Sequence, residues 1–436
     1  MLIAYVILLF GVPSNLTIAG LGTLGRPALL WGVALLVWWV VTRLQIREND
    51  VTPPRQPVRS ALVVLIVLIL ISFAAAMVRG QPADQVSPAV TALVRVASWS
   101  GVVLVALDGI RTANEVARLV RALVIAAGCI ALLGLAQFVT GSSLLEWTAS
   151  IPGFSLEAGG IDGRGAFVRA AGTSTHPLEF VASLVAVLPL ALTTAITGGA
   201  GGPTRRSGWW WAIAAAIMAV CLVAVSRSAI IGLALALVVF LPFAPRIYRW
   251  VGAFGGLAAV GAVALAVPGM MNAIVRLFAD ATDDPSTQSR TNALARLPEF
   301  IGTSPLLGQG WGTFLARYYI FDNQWVLVLI ELGLAGVLAL LGLVGCGLWS
   351  AMFAARTSLF PETRMMSGAV VSGILTVAVL FLFFDGLGFS ISAGIFFLLV
   401  GFSGALRTIA VSDRAVRMPP PAAVPVRDRL SRTREV

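Results

Sequence analysis

Long apolar stretches alternate with short polar segments along most of this chain. A helix needs roughly 20 apolar residues to cross about 30 Å of hydrocarbon, and twelve stretches approach or exceed that length. We predict an all-α, polytopic membrane domain over residues 1–406, although Pro13 and Ser14–Asn15 interrupt the first stretch. The predicted spans are 2–22, 27–43, 60–78, 89–108, 119–139, 178–197, 208–226, 228–246, 250–268, 325–347, 367–385 and 387–406.

Composition supports the same conclusion. Of the 436 residues, 58% are hydrophobic and only 11% are charged, and the mean hydropathy is +0.93. A water-soluble domain of this length would need much more polar surface. The three cysteines lie in apolar stretches, which argues against disulfides, and a single histidine excludes a His-rich metal site.

The arginines orient the spans. All 30 basic residues are arginine, and cytoplasmic loops carry an excess of basic residues. With both termini in the cytoplasm, twenty arginines fall in cytoplasmic segments, nine fall outside, and Arg95 lies within a span. The sequence therefore predicts a multi-pass protein of the cytoplasmic membrane. Two long loops, 140–177 and 269–324, then face outward, the second between spans nine and ten.

Both ends of the chain have expected roles. No basic segment precedes the first stretch, so we expect an uncleaved anchor and not a signal peptide. Residues 407–436 are basic and proline-rich without an apolar period, which predicts a disordered cytoplasmic tail held against anionic membrane lipids. The net charge of +10 thus indicates membrane topology, not nucleic-acid binding.

Arg227 is the sharpest candidate for a binding residue in the predicted outer segments. It lies in a tight turn between two apolar stretches, flanked by Ser226 and Ser228. A guanidinium offers a planar fork of donors that matches phosphate oxygens. The alternative is a side chain that only snorkels at a helix end.

Arg290 is a second candidate. It lies in a predicted amphipathic helix at about 286–301, six residues before Arg296, so the two side chains point to different sides. Arg296 has Glu299 three residues on as an ordinary ion-pair partner. Arg290 lacks such a partner in the sequence and is the better anion ligand.

Three further ionisable residues lie in or near predicted spans. His176 precedes Pro177 at the start of span six, where capping or packing competes with catalysis. Arg95 and Glu331 lie within spans, where a charge is costly and needs a partner. A structural pair of Arg95 with Glu179 or Glu331 explains the arginine as well as a functional role does.

Four short patterns occur in order in the predicted outer segments. They are Arg169-x-x-Gly172-Thr173-x-x-His176-Pro177, then Ser226-Arg227, then Arg290 followed by Pro305-Leu306-Leu307-Gly308-x-Gly310, and last Asp322-Asn323 followed by Glu331-x-Gly333-x-x-Gly336. With these patterns and twelve spans, the chain from about 60 to 405 resembles the bacterial O-antigen ligase / O-antigen polymerase family of integral membrane glycosyltransferases.

The resemblance implies an activity. Members transfer a glycan from a polyprenyl-diphosphate carrier to a hydroxyl of a glycan, lipid or protein acceptor. The chemistry takes place at the outer face of the cytoplasmic membrane, with no nucleotide sugar or cofactor and usually no metal. The resemblance leaves open polymerase or ligase activity, the sugar, the stereochemical outcome and the oligomeric state.

The resemblance also implies residue roles. Arg227 and Arg290 match the positions thought to hold the diphosphate, and we group Arg169 with them. Asp322 stands where many relatives have a histidine that serves as general base, a task an ionised carboxylate can also perform. His176 is the rival base. Asn323, Glu331 and Arg95 are expected to support the site.

Other functions remain possible on the sequence. A transporter or flippase would place Arg95, Glu331 and Asp385 along a translocation path near the bilayer midplane. Most polar residues lie in the two long outer loops instead, which favours the enzyme. A cell-wall glycan polymerase with an outer catalytic acid and a non-catalytic scaffold that recruits partners through its tail are further alternatives.

Overall fold

The computed structural model describes residues 1–45, 56–164, 167–199, 207–224, 226–266, 271, 275, 285–302 and 304–417. The described residues form thirteen α-helices and four short strands. The helices are α1 (Leu2–Gly11), α2 (Pro27–Leu44), α3 (Pro57–Val78), α4 (Ala83–Gly109), α5 (Ala113–Thr140), α6 (Pro177–Ile196), α7 (Ser207–Val223), α8 (Arg227–Phe240), α9 (Arg246–Ala266), α10 (Pro285–Ile301), α11 (Gln324–Thr357), α12 (Pro361–Leu380) and α13 (Ser390–Arg417).

The all-α membrane fold is confirmed. Eight of the described helices are long and apolar enough to cross a membrane, namely α2, α3, α4, α5, α6, α11, α12 and α13. Three shorter apolar helices accompany them, at Leu2–Gly11, Gly208–Val223 and Arg227–Phe243. The count of twelve spans stays a prediction, as does the cytoplasmic placement of both termini.

The predicted first span at 2–22 is wrong in length. Helix α1 ends at Gly11, because Pro13 has no backbone N–H to continue the helix. The Ser14 N–H donates to the Thr173 carbonyl at 2.7 Å, and the Thr173 hydroxyl donates to the Phe10 carbonyl at 2.8 Å. The predicted outer loop 140–177 therefore satisfies the polar end of α1.

Two small antiparallel sheets lie in the same region. Strand β1 (Leu16–Ile18) pairs with β2 (Phe154–Leu156), and β3 (Asp162–Arg164) pairs with β4 (Phe167–Arg169). These strands give the segment between α5 and α6 a fixed path across the helix ends. That path carries Arg169 and His176.

The core of the bundle lies around α6, α12 and α13. In their most apolar segments, 94% of α6 and 83% of each of the other two are buried, against 17% for α2. Helix α3, of which 28% is buried, resembles α2 in this respect, so α2 and α3 are the outer helices. The N-terminal ends of α6, α8 and α11 meet the C-terminal end of α12 at one end of this core.

Helix α11 breaks at Gly333, which has φ 65° and ψ −166°. The loop before it docks into the break: Gly310 N–H donates to the Glu331 carbonyl at 2.9 Å, and Leu334 N–H donates to the Pro305 carbonyl at 2.9 Å. Ser72 of α3 donates to the Leu307 carbonyl at 2.8 Å. The glycines of this loop thus allow close backbone contact with α11.

Replacing Gly333 by alanine is expected to destabilise the chain. A Cβ at this position would lie 2.3 Å from the Leu306 carbonyl carbon, and the backbone conformation is one that only glycine adopts readily. We expect a loss of about 2 kcal/mol or more in the free energy of unfolding. Thermal unfolding of the purified protein measures it.

Gly342→Ala is the matched control on the same helix. A Cβ at Gly342 meets no atom within 4 Å, and alanine favours the helix over glycine by up to about 1 kcal/mol. This variant should unfold at the parent temperature or slightly above it. Equal destabilisation of both variants would contradict the role of the break.

The C-terminal boundary also differs from expectation. Helix α13 continues to Arg417, so the segment from 407 to 417 is helical and the predicted tail begins too early. The rest of the predicted tail, 418–436, lies outside the described residues.

Candidate active site

A cavity of about 410 Å³ opens where the ends of α6, α8, α10, α11 and α12 meet. Five of the predicted site residues line it: Arg169, Arg227, Arg290, Asp322 and Asn323. Hydroxyls add further polar groups, from Ser226, Ser228, Thr287 and Thr291. Leu178, Ile231, Leu294, Val326 and Leu382 give it apolar walls. The cavity can hold an anionic group beside an apolar chain.

The start of α8 places Arg227. Ser226 is in an extended conformation and Arg227 is the first helical residue. The hydroxyls of Ser226 and Ser228 lie 3.0 Å apart. Backbone N–H groups in the first turn of a helix have no intrahelical acceptor and favour anions. Arg227 therefore lines the cavity beside the N-terminal end of α8, which also carries positive charge.

Helix α10 carries Arg290 into the cavity, and the prediction of a helix at about 286–301 is confirmed. The guanidinium donates to the Phe383 carbonyl at 2.9 Å and lies over the Phe383 ring at 6.0 Å. Arg296, by contrast, pairs with Glu299 at 3.1 Å on the exposed side. The predicted pair of Arg296 with Glu299 is observed, and the role of Arg290 as an anion ligand stays a prediction.

A small apolar cluster fixes α10 against the N-terminal end of α11. Its buried members are Ala293, Phe321, Val326 and Ile330, joined by Leu297, Phe300, Phe314, Tyr319 and Leu327. The rings of Phe300 and Phe321 meet edge to face at 5.7 Å. This cluster holds the helix of Arg290 beside the segment of Asp322.

Arg169 comes from strand β4. Only 9% of its side chain is exposed, and it lies 3.4 Å from the Asp162 carboxylate on the paired strand. Buried Gln137 of α5 fixes the next residues, because its side-chain oxygen accepts N–H bonds from Ala171 at 3.1 Å and Gly172 at 2.8 Å. The pattern around Gly172 and Thr173 is therefore scaffold for Arg169.

Asp322 and Asn323 have separate roles at the start of α11. Asn323 is the N-cap, and its side-chain oxygen accepts N–H bonds from Trp325 at 3.0 Å and Val326 at 3.2 Å. Asp322 precedes the cap and lines the cavity. Among the described residues, no group lies within hydrogen-bond distance of the Asp322 carboxyl. Its oxygens are thus available to a bound molecule.

His176 is the N-cap of α6. Its Nδ1 accepts the Leu178 N–H at 3.1 Å, so the neutral ring carries its proton on Nε2 and cannot accept another one there. Burial, followed by the nearby charge of Arg169, lowers the pKa of His176. The ring is therefore neutral at pH 7, and acidification would break the cap. The structure thus supports the capping alternative.

Glu331 and Arg95 do not line the cavity. The Glu331 carboxylate accepts the Phe314 N–H at 3.3 Å and so holds the docked loop. The suggested pairs of Arg95 with Glu179 and Glu331 are wrong: among the described residues, no carboxylate reaches ion-pair distance of Arg95. Glu179 is fully buried and accepts N–H bonds from Thr175 at 2.9 Å and Ile391 at 2.7 Å.

Gln324 supports the site but is not among the residues predicted from the sequence. It is buried beside the Asn323 cap, where its N–H donates to the Phe381 carbonyl at 2.8 Å and its side-chain oxygen accepts the Leu387 N–H at 2.7 Å. These bonds fix the turn that supplies the Phe383 carbonyl to Arg290. The only sequence signal was a third polar residue directly after Asp322-Asn323.

Asp385 is the second missed residue, and it lies in the same turn. Burial above all, together with the nearby charge of Asp322, raises the pKa of Asp385 to about 7. The sequence suggests a role for Asp385 only on a transport path, and 62 residues separate it from Asp322. The structure places the Asp385 carboxyl near enough to Asp322 for the two negative charges to repel each other.

Asp385 predicts a pH dependence of stability. Its folded pKa of about 7 exceeds the ordinary 3.8, so between these values the folded protein binds the proton more tightly than the unfolded chain. Stability should therefore fall as pH rises from about 4 to about 7 and level off above that. Melting temperatures across pH measure it.

Asp385→Asn is the test variant for that slope, because it cannot ionise. Its melting temperature should change less between pH 5 and pH 7.5 than that of the parent chain. Parallel pH curves for the two proteins would contradict the assignment. Glu299→Gln, on an exposed carboxylate, serves as the control and should keep the parent slope.

Residues 211–341 match the family model described as O-antigen ligase. The matched range contains Arg227, Arg290, Asp322 and Asn323, while Arg169 and His176 lie outside it. None of the curated proteins compared with this chain matches it.

Proposed function

We propose a specific reaction for this chain, which belongs, through residues 211–341, to the O-antigen ligase/polymerase family. The family indicates glycan transfer in surface-polysaccharide assembly. The proposed reaction moves a glycan from a polyprenyl-diphosphate carrier to an acceptor hydroxyl at the outer face of the cytoplasmic membrane. One observation carries it: Arg169, Arg227 and Arg290 converge with Asp322 on one cavity.

The arginines bind the diphosphate of the donor. A leaving diphosphate gains negative charge as its bond to the sugar breaks, and fixed guanidinium groups stabilise that charge without rearranging. Arg290 is oriented by the Phe383 carbonyl, and Arg227 stands at the first turn of α8. The apolar walls accommodate the first part of the prenyl chain. Charge neutralisation by arginine is the role that metal ions fill in other phosphate sites.

Asp322 acts as general base. The acceptor hydroxyl gives its proton to the Asp322 carboxylate while its oxygen forms a bond to the anomeric carbon. The bond from that carbon to the diphosphate oxygen breaks, and the bonding pair leaves with the polyprenyl diphosphate. Asp322 is preferred over His176 because the histidine lone pair at Nδ1 is engaged by the Leu178 N–H.

His176 and Asp385 then have supporting roles. His176 fixes the start of α6 and, through Nε2–H, offers a hydrogen-bond donor near Arg169 and Asp322. Asp385 has a pKa of about 7, raised by burial and by the nearby negative charge of Asp322. It therefore exchanges protons near neutral pH. It is suited to pass the proton taken by Asp322 to water.

Reconstitution tests the proposed reaction. The purified full chain in liposomes receives an oligosaccharide linked to polyprenyl diphosphate and a hydroxyl acceptor. We expect a new glycosidic bond and free polyprenyl diphosphate in equal amounts. Use of a second lipid-linked glycan as acceptor indicates a polymerase, and use of a lipid or protein anchor indicates a ligase.

The transporter alternative gives a different result in the same vesicles. A carrier would move the lipid-linked donor between leaflets while leaving every bond intact. Transbilayer movement without release of polyprenyl diphosphate, with either acceptor, would overturn the transferase proposal.

A further inference from the structure

A second large cavity, of about 920 Å³, lies at the opposite ends of the helices that form the candidate active site. It is bounded by the C-terminal ends of α6 and α11, the turn after α8, and the first turns of α9 and α12. We call it the basic cavity, after its lining arginines Arg249, Arg356 and Arg364. No step of the proposed reaction uses it.

The described lining of the basic cavity carries an excess of positive charge. Arg249 donates to the carbonyls of Ala244 at 3.0 Å and Pro242 at 2.8 Å, and Arg364 donates to the Ala355 carbonyl at 3.2 Å. Within the described ranges, none of the three arginines reaches ion-pair distance of a carboxylate. Glu362 is the one carboxylate among the described lining residues.

Helix α9 contributes Tyr248 and Arg249 to the basic cavity and carries exposed apolar side chains on its opposite face. Ile247, Trp250 and Phe254 of α9 are 70%, 68% and 64% exposed, and the rings of Trp250 and Phe254 stack at 6.0 Å. Tyr248, which lines the basic cavity, stacks on Trp211 at 6.0 Å. Tryptophan and tyrosine concentrate at the headgroup level of a bilayer, so this face indicates a lipid boundary.

Phosphate-binding groups next to acyl-binding surface match one class of ligand. The lining of the basic cavity also contains the apolar side chains Ile196, Phe243, Tyr248, Met352 and Met365, which a soluble anion would leave without contact. A phospholipid with a net negative headgroup uses both, and basic cavities between membrane helices suit such headgroups. The volume exceeds that of a single phosphate group and admits a glycerophosphate headgroup.

We propose that the basic cavity binds an anionic phospholipid. The headgroup phosphate lies among Arg249, Arg356 and Arg364, and the acyl chains leave along the apolar lining formed by Phe243, Met352 and Met365. The lipid then links the turn after α8 to the ends of α11 and α12. This binding is independent of the glycan-transfer proposal and stands if that proposal fails.

Lipid binding to the purified full chain tests the proposal. Native mass spectrometry and melting temperature are recorded with phosphatidylglycerol, with phosphatidylcholine of the same acyl chains, and with inorganic phosphate or pyrophosphate. We expect phosphatidylglycerol to be retained and to raise the melting temperature more than phosphatidylcholine does. Arg356→Gln should weaken its binding about fivefold, the effect of one surface arginine on anionic lipid.

Two further variants sharpen the test. Arg118→Gln removes an exposed arginine of α5 away from the basic cavity and should retain the lipid as the parent does. Glu362→Gln removes the carboxylate and should tighten binding. Arg356 makes no hydrogen bond within the described part of the chain, so its replacement should leave the fold intact, which the melting temperature without lipid checks.

Three results would overturn the proposal. They are equal retention of the two lipids, equal weakening by Arg356→Gln and Arg118→Gln, and full displacement of phosphatidylglycerol by millimolar pyrophosphate. The last result would identify a soluble-anion site in place of a lipid site.

Discussion

Arg290→Ala is expected to lower the rate of glycan transfer by about two orders of magnitude, the usual cost of losing one group that stabilises developing charge. The guanidinium lines the candidate active site and is oriented by the Phe383 carbonyl at 2.9 Å. Release of polyprenyl diphosphate by the purified protein in liposomes measures the effect. Accumulation of carrier-linked glycan in cells measures it independently, at matched membrane expression.

Arg296→Ala is the matched control on the same helix. Arg296 is 47% exposed and pairs with Glu299, and such surface pairs contribute little to stability. This variant should transfer glycan at close to the parent rate. Similar losses in both variants would indicate that α10 has moved and would refute a specific role for Arg290.

Arg290→Lys separates charge from geometry. Lysine keeps the positive charge but cannot present the planar fork, so it should recover part of the lost rate. If lysine restores full activity, simple charge at this position is sufficient. If the loss of rate in Arg290→Ala is accompanied by a large fall in melting temperature, the lost bond to Phe383 has destabilised the fold. That result would account for the loss of rate, and the diphosphate role would be wrong.

Asp322→Asn is expected to lower transfer by about 10²–10⁴-fold, the contribution of a general base. Asparagine has nearly the same shape but cannot take a proton. The Asn323 cap of α11 is untouched, so the fold should be retained and the melting temperature should stay close to that of the parent. The loss should appear in kcat more than in KM.

His176→Asn distinguishes the two proposed bases. Asparagine is a good N-cap and can accept the N–H bond that His176 now accepts from Leu178, but it cannot act as a base. If His176 mainly caps α6, this variant keeps most of the activity while His176→Ala loses stability. Loss of activity in both, with Asp322→Asn still active, would make His176 the base.

Local sequence was sufficient for some of the individual predictions and insufficient for others. The helix at about 286–301 and the pair of Arg296 with Glu299 follow from spacing along one helix, and both are observed. The first span failed because 2–22 is apolar on average while Pro13 ends the helix locally. The Arg95 pairs failed because proximity between spans is not encoded in either span alone.

The missed residues show the same limit. Gln324 looks like the last of three polar residues before a span, and Asp385 looks like an isolated polar residue near a span end. They matter because Gln324 binds the turn at 381–387, a contact between segments about 60 residues apart in the chain. Neither residue's own surroundings in the sequence contain that information.

Sequence alone determined that this chain is a helical membrane protein and which family it resembles. Those properties are local, because the bilayer solvates each apolar stretch separately and hydrophobic length depends only on that stretch. Tertiary structure decided which polar residues share a cavity. It brought Arg169, Arg227, Arg290 and Asp322 together from four elements, gave His176 and Asn323 to helix capping, and placed Glu331 on a docked loop. Packing between distant segments fixes those positions, and no local pattern specifies it.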